Sequence, residues 1–182
     1  QFPLSIPADR RFDAVGFGTN AVDHLIIVPE YPQYITKIKL SEHVRAAGGE
    51  AASTMAGLSR LGMRTSYVGR FGSDEAGAFG LASLAADSVD TTFAERVSGA
   101  RTQVGYIIID VRTGERTVIW DRDEALAYTA NEAPAAAVES CRVLHMTPHD
   151  AWACVEMAKA AKAAGSIVSL DIDNVFDGVE EL

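Results

Sequence analysis

The sequence predicts an α/β fold: a parallel sheet flanked by helices, with a small β layer projecting from one edge. Three observations predict it. Strand-like and helix-like segments alternate along most of the 182 residues. Residues 142–170 read as a compact βαβ unit, RVLHMT, a helix over 150–164 stopped by Gly165, then IVSL, which implies parallel strands and a right-handed crossover. Two β-branched runs, 101–110 and 115–121, flank the turn Val111-Arg112-Thr113-Gly114 and read as a hairpin.

The elements follow in order. Residues 1–10 hold two prolines and no periodicity, and are expected to form a loose terminal arm ahead of one domain over 11–182. RFDAVG, 11–16, is a short apolar strand. DHLIIV, 23–28, is β-rich and is closed by Pro29 and Pro32. Residues 35–45 alternate in part and predict a half-exposed strand, so that 23–45 and 101–121 together build the β layer. Gly48-Gly49 then precedes a small-residue helix over 50–61, closed by Gly62. TSYVG, 65–69, is a strand. Ser73-Asp74 can cap a helix running to Ala86, and 91–97 predicts another strand.

Composition narrows the function classes. Hydrophobic residues at 48% and charged residues at 23% fit a globular chain. A net charge of -9, without a Lys/Arg cluster, argues against nucleic acid and anionic membrane as partners. Cys141 and Cys154 are too few for a disulfide scaffold or a thiolate zinc site, and read as buried free thiols. The start has no basic, then apolar, leader pattern and no apolar stretch is long enough for a membrane span, so a cytoplasmic protein is expected.

Two glycine signals carry the chemistry. Gly16-Phe17-Gly18-Thr19-Asn20-Ala21 fits G-x-G-x-x-A, the dinucleotide fingerprint. That motif needs a helix whose N-terminus holds a pyrophosphate. The residues that follow, VDHLIIVP, are β-branched and broken by proline, so an oxidoreductase on this motif would require helical structure after Gly18. A tight turn, or a strand end presenting Asn20 and Asp23 to a small polar ligand, are the other readings. The second signal is Gly48-Gly49 before Glu50-Ala51-Ala52-Ser53. Glycines let the backbone approach a ligand, and the unpaired N–H groups of a helix start can donate to its oxygens. Tight packing of a small-residue helix on the sheet explains the same segment. His145 and His149 stand four apart, but Thr147-Pro148 breaks any helix between them and a zinc pair is not expected.

The order of these features resembles the ribokinase (PfkB) family of carbohydrate and nucleoside kinases. The resemblance rests on Gly18-x-x-x-x-Asp23, the Gly48-Gly49 helix, Leu61-Gly62, and Val68-Gly69-Arg70-Phe71-Gly72-Ser73-Asp74-Glu75-Ala76-Gly77, which is similar to the family's V-G-x-x-G-x-D-x-x-G segment. It covers about residues 12 to 175. It implies a ribokinase-like sheet with the β layer as a lid. It also implies substrate-binding roles for Asp23, as acceptor of sugar hydroxyl hydrogen bonds, with Asn20 nearby and Gly48, Gly49, Glu50 and Ser53 lining the pocket. Ser53 stands where the family commonly has Asn. Glu50, a carboxylate beside Asp23, predicts an acceptor that is not anionic. Asp171 and Asp173 follow the last strand, where ligands approach an open α/β sheet, and Asp173 joins the expected set.

The same resemblance implies ATP and Mg2+, with a monovalent cation as a further possibility, and a homodimer formed through the lid strands. The family's catalytic base lies in a late G-A-G-D segment that is absent from these residues, as is any G-x-x-x-x-G-K-[ST]. No catalytic, cofactor or metal residue is therefore assigned within 1–182. The chain is expected to be the N-terminal portion of a longer kinase, its ATP contacts mostly beyond residue 182. A non-catalytic sugar-binding or dimerisation module is the alternative.

Overall fold

The computed structural model describes residues 7–175 and 177–182. The first six residues of the expected arm lie outside them. The arm's described part, 7–10, is tied down rather than loose. The Arg10 guanidinium donates to the carbonyls of Glu139 (2.8 Å) and Ala164 (2.6 Å), and Arg142 Nε donates to the Pro7 carbonyl (2.9 Å).

The described residues form nine strands and three α-helices: β1 Phe12–Phe17, β2 Ala21–Val28, β3 Glu42–Gly48, α1 Glu50–Arg60, β4 Thr65–Gly72, α2 Glu75–Ala86, β5 Ala94–Val97, β6 Val104–Asp110, β7 Arg116–Asp121, β8 Cys141–Met146, α3 Ala151–Ala163 and β9 Ile167–Leu170. Five strands form one sheet in the order β5-β4-β1-β8-β9, and every pairing in it is parallel. The other four form a mixed sheet, β3-β2-β6-β7, in which only β2 and β6 run parallel.

β1 lies at the centre of the parallel sheet and is buried on both faces, as a helix-covered parallel strand must be. On one face Val15, Phe17, Leu144 and Met146 pack against Cys154 and Met157 of α3. On the other, Ala14, Tyr67 and Phe71 pack against Ala51, Ala52 and Met55 of α1 and Leu84 of α2. The small residues of α1 let it approach closely: a Cβ at Gly16 would lie 2.5 Å from Met55 Cγ. Cys141 and Cys154 are buried free thiols, and burial pushes Cys154 up to about 12.

The run from Gly72 to Gly77 fastens the two sheets together. Asp74 caps α2 by accepting from the Gly77 N–H (2.9 Å), and it also accepts from the N–H and hydroxyl of Thr102, at 3.0 and 2.7 Å. The Thr102 hydroxyl in turn accepts from the Gly72 N–H (2.9 Å). Thr102 stands just before β6, so this knot fixes where the mixed sheet leaves the parallel one. At the far end of that sheet, Arg122 follows β7 and forms a two-pronged ion pair with Asp150, both bonds 2.8 Å, ahead of α3.

The strand expected at 35–45 forms later. β3 begins at Glu42, and residues 35–41 have no ladder. The reason is register: Ile27 already faces Glu42 and β2 ends at Val28, so only Ser41 still reaches it, its N–H donating to the Ile27 carbonyl (2.7 Å), and residues 35–40 lie past the end of the partner strand. Tyr34 and Ile35 are accordingly almost fully exposed. The strand expected at 91–97 is confined to Ala94–Val97. The hairpin turn closes as expected, with the Gly114 N–H donating to the Asp110 carbonyl (2.8 Å).

Candidate acceptor-binding site

A cleft of about 750 Å³ opens between the mixed sheet and the C-terminal ends of the parallel strands. That is where open α/β sheets receive ligands. Of the expected site residues, Asp23, Gly48, Gly49, Glu50, Ser53 and Asp173 line it together. Asn20 does not. It is buried beneath the twin-glycine turn, where its Nδ2 donates to the Tyr67 hydroxyl (2.7 Å) and the Arg70 carbonyl (2.9 Å). Asp171 is also outside the lining. A smaller crevice of about 180 Å³ runs between α1 and α2 and is shared by Asn20, Gly48 and Ser53. Its charged pair, Arg60 and Asp87, is mutually satisfied by bonds of 2.8 and 2.7 Å. The larger cleft is the candidate because it holds an unsatisfied carboxylate.

That carboxylate is Asp23, on β2. It has no hydrogen-bond partner among the described residues. Glycines make its space. In register it faces Gly105 of β6, where a Cβ would lie 2.5 Å from its Oδ1, and a Cβ on Gly48 would strike its Oδ2. Gly105 in turn faces Trp120 of β7. One row across three strands therefore reads Asp23, Gly105, Trp120: a carboxylate, a bare floor and an indole 54% exposed. With strands spaced about 4.8 Å apart, the carboxylate-bearing and indole-bearing backbones stand about 10 Å apart, room for one sugar-sized ring.

Gly49 serves the turn itself. Its φ of 90° favours glycine, and a side chain there would meet the backbone of Thr19 and Asn20. It caps α1, whose first residue is Glu50. The Thr19 hydroxyl donates to Glu50 Oε2, which holds this carboxylate at the cleft. Burial first, and then the Glu50 charge, push the Asp23 carboxyl above its ordinary value, with His24 opposing.

His149, after β8, completes the wall against Trp120, edge to face with ring centroids 5.4 Å apart. Burial, helped by the Arg122 charge, lowers its pKa. Leu25, Ile107, Ile109 and Val118 supply an apolar wall along the mixed sheet. Gly105, Trp120 and His149 were not singled out as site residues by sequence reasoning. The one signal available for Gly105 was a glycine interrupting a β-branched run, which marks a close approach.

The dinucleotide reading of Gly16–Ala21 fails here, because a strand, β2, and not a helix follows Gly18. Among the described residues no group of three or more His, Cys, Asp or Glu side chains could hold a metal ion. Among them, too, no helix is long and apolar enough to cross a membrane.

A parallel α/β sheet with a four-stranded β lid over an acidic, glycine-floored cleft defines a ribokinase-type fold. The profile of the pfkB family carbohydrate kinases matches residues 19–179, and the chain belongs to that family. It is 26% identical over 159 residues to a nucleoside kinase of Methanothermobacter thermautotrophicus, covering 87% of this chain and 51% of that protein. It is 28% identical over 168 residues to fructokinase-1 of Zea mays, covering 86% and 50%. Among solved structures, a fructokinase from Xylella fastidiosa superposes with a TM-score of 0.73 at 26% identity, over 90% of this chain and 53% of that one. A fructokinase from the same organism has also been solved with bound ATP. The chain spans about half the length of the curated relatives it matches.

Proposed function

We propose that this chain forms the acceptor-binding half and lid of a kinase that transfers the γ-phosphoryl group of ATP to a hydroxyl of a sugar or nucleoside. The observation that carries the reading is Asp23, a half-buried carboxylate without a hydrogen-bond donor, aligned with a glycine floor and an exposed indole. Withdrawing a carboxylate from water is costly, and a ligand that donates to it offsets that cost. Vicinal hydroxyls supply two donors at the spacing of two carboxylate oxygens, while Trp120 covers an apolar face of the ring. Gly49 and the first turn of α1 approach the same ligand with backbone N–H groups.

In this reading the chain positions the acceptor. The lid, with its apolar wall, excludes water that would otherwise receive the phosphoryl group. The acceptor oxygen attacks the γ-phosphorus, the bond to the bridging oxygen breaks to leave ADP, and a base outside these residues takes the hydroxyl proton. Mg2+ would neutralise the phosphates, and these residues assign it no ligands. The nucleoside kinase and fructokinase relatives make sugars and nucleosides the acceptor classes to examine. The test is a coupled ADP-release assay on the full-length gene product with a panel of ketohexoses, pentoses and nucleosides. Phosphorylation of at least one acceptor, lost in Asp23→Asn, is expected; no phosphorylation of any of them refutes the reading.

The lid also supports a homodimer. Tyr106 and Ile119 pair across β6 and β7 and are 44% and 55% exposed. The outer strand β7 is exposed along its whole length, and an uncovered edge of this kind pairs readily with another chain. Sizing with light scattering should give twice the chain mass, and Ile119→Lys should halve it.

A further inference from the structure

We propose that Glu50 makes this cleft selective for an acceptor bearing a protonated amine, over the neutral and the phosphorylated forms of the same molecule. The proposal rests on the reading that the acceptor binds beside Asp23.

The charge inventory of the cleft is lopsided. Asp23, Glu50 and Asp173 line it, against a single cationic side chain, Arg116. Arg116 stands four residues along β7 from Trp120, about 13 Å from the Asp23 row at the usual strand rise. His149 is the other ionisable side chain on this wall, and burial and the Arg122 charge disfavour its cationic form. Among the cleft-lining residues no other cation faces the carboxylates, and His24, beside Asp23 on β2 but outside the lining, opposes their charge only in part.

Glu50 also changes what the helix start can do. The N-terminus of α1 would by itself attract an anion through its free N–H groups and dipole. Glu50 is the first residue of that helix, so a fixed negative charge already occupies the position. The Thr19 hydroxyl holds the Glu50 carboxylate there, and the Thr19 N–H is itself held by the Thr147 hydroxyl (3.3 Å). A phosphate entering this end meets like charge.

An ammonium group gains from the same arrangement. It carries three donors and a full charge, against one donor for a hydroxyl. Asp23 offers two unpaired oxygens, Glu50 a second carboxylate, and Trp120 an exposed face able to attract a cation. The glycines at 48 and 105 leave room for the group to reach Asp23 directly.

The test uses isothermal titration of the full-length product at pH 7 with three series. These are glucose, glucosamine and glucose 6-phosphate; fructose, 1-amino-1-deoxyfructose and fructose 6-phosphate; adenosine, 5′-amino-5′-deoxyadenosine and AMP. In the series that binds, the amine should bind at least about tenfold tighter than the neutral parent and the phosphate weaker than both. Glu50→Gln should cut the amine preference to within about threefold, and 0.5 M NaCl should shrink it in the wild type without any substitution. An amine that binds no tighter than its parent, or a preference that Glu50→Gln and salt leave intact, overturns the proposal. Binding that is lost in Asp23→Asn but shows no amine preference defeats this proposal alone. If no member of any series binds, or Asp23→Asn leaves binding intact, the acceptor reading fails and the proposal falls with it.

Discussion

Gly105→Ala should separate folding from function. Gly105 lies in the interior of β6, and its backbone is not in the left-handed region, so alanine is compatible with its φ. A Cβ there meets only the Asp23 carboxylate, with Oδ1 at 2.5 Å and Cγ at 3.6 Å. Ordinary contact begins near 3.4 Å, so the carboxylate must retreat by about 0.9 Å. The rest of the sheet feels nothing. Removing a strand-interior glycine stabilises the fold by about 0.5 kcal/mol. The same shift moves the carboxylate proposed to grip the acceptor, and a misplacement of about 1 Å can cost about 100-fold. Loss of one hydrogen bond to a charged group, about 2 kcal/mol, gives a factor of about 30. The expectation is a 30- to 100-fold rise in acceptor Kd or fall in kcat/KM, with Tm unchanged or raised. Titration calorimetry and a thermal melt on the same preparation decide it. Acceptor affinity within threefold of wild type in a folded Gly105→Ala protein would refute the geometric argument.

Three further outcomes follow from the same structure. Burial and Glu50 hold the Asp23 carboxyl above its ordinary 3.8, so the folded protein keeps a proton that the unfolded chain releases. Stability therefore falls as pH rises from 3.8 through the raised value and stays lower above it; Asp23→Asn should raise Tm at pH 7, a gain that disappears below pH 3.8, and a lower Tm at pH 7 would contradict this. Arg122 and Asp150 have side chains only 14% and 11% exposed, and Asp150 also accepts from the Tyr128 N–H, so Asp150→Ala should cost about 3 kcal/mol in urea melts, against under 1 kcal/mol if the pair were solvated. Asp74→Ala removes a helix cap and both bonds to Thr102, and should cost about 2 kcal/mol together with faster amide exchange at the start of β6; protection there equal to wild type would show that the knot does not anchor the lid.

Much of this architecture was legible in the chain because local signals and tertiary demands agree. The βαβ unit at 142–170 shows its period, its stop glycine and its strands without any long-range information. The GRFGSDEAG run was recognisable as a motif, and its physical reason became visible only with Thr102 in place, since Gly72, Asp74 and Gly77 all close on that one residue. β3 was misplaced because partial alternation over 35–45 says nothing about where the partner strand ends. Asp23 and the twin glycines were readable as a pair, but Gly105 and Trp120 join them through register across three strands, which no single segment encodes. Asn20 looked available from its spacing; it is buried, and both hydrogens of its Nδ2 go to Tyr67 and Arg70, 47 and 50 residues away.

In the proposed binding mode an acceptor lies over Gly105 with its hydroxyls donating to Asp23. A crystal structure of the full-length product with the acceptor its assay identifies tests this most directly. Ligand oxygens should stand about 2.5–3.0 Å from the Asp23 carboxylate, with the ring against Trp120. An acceptor bound elsewhere, with Asp23 still without a donor, would contradict it.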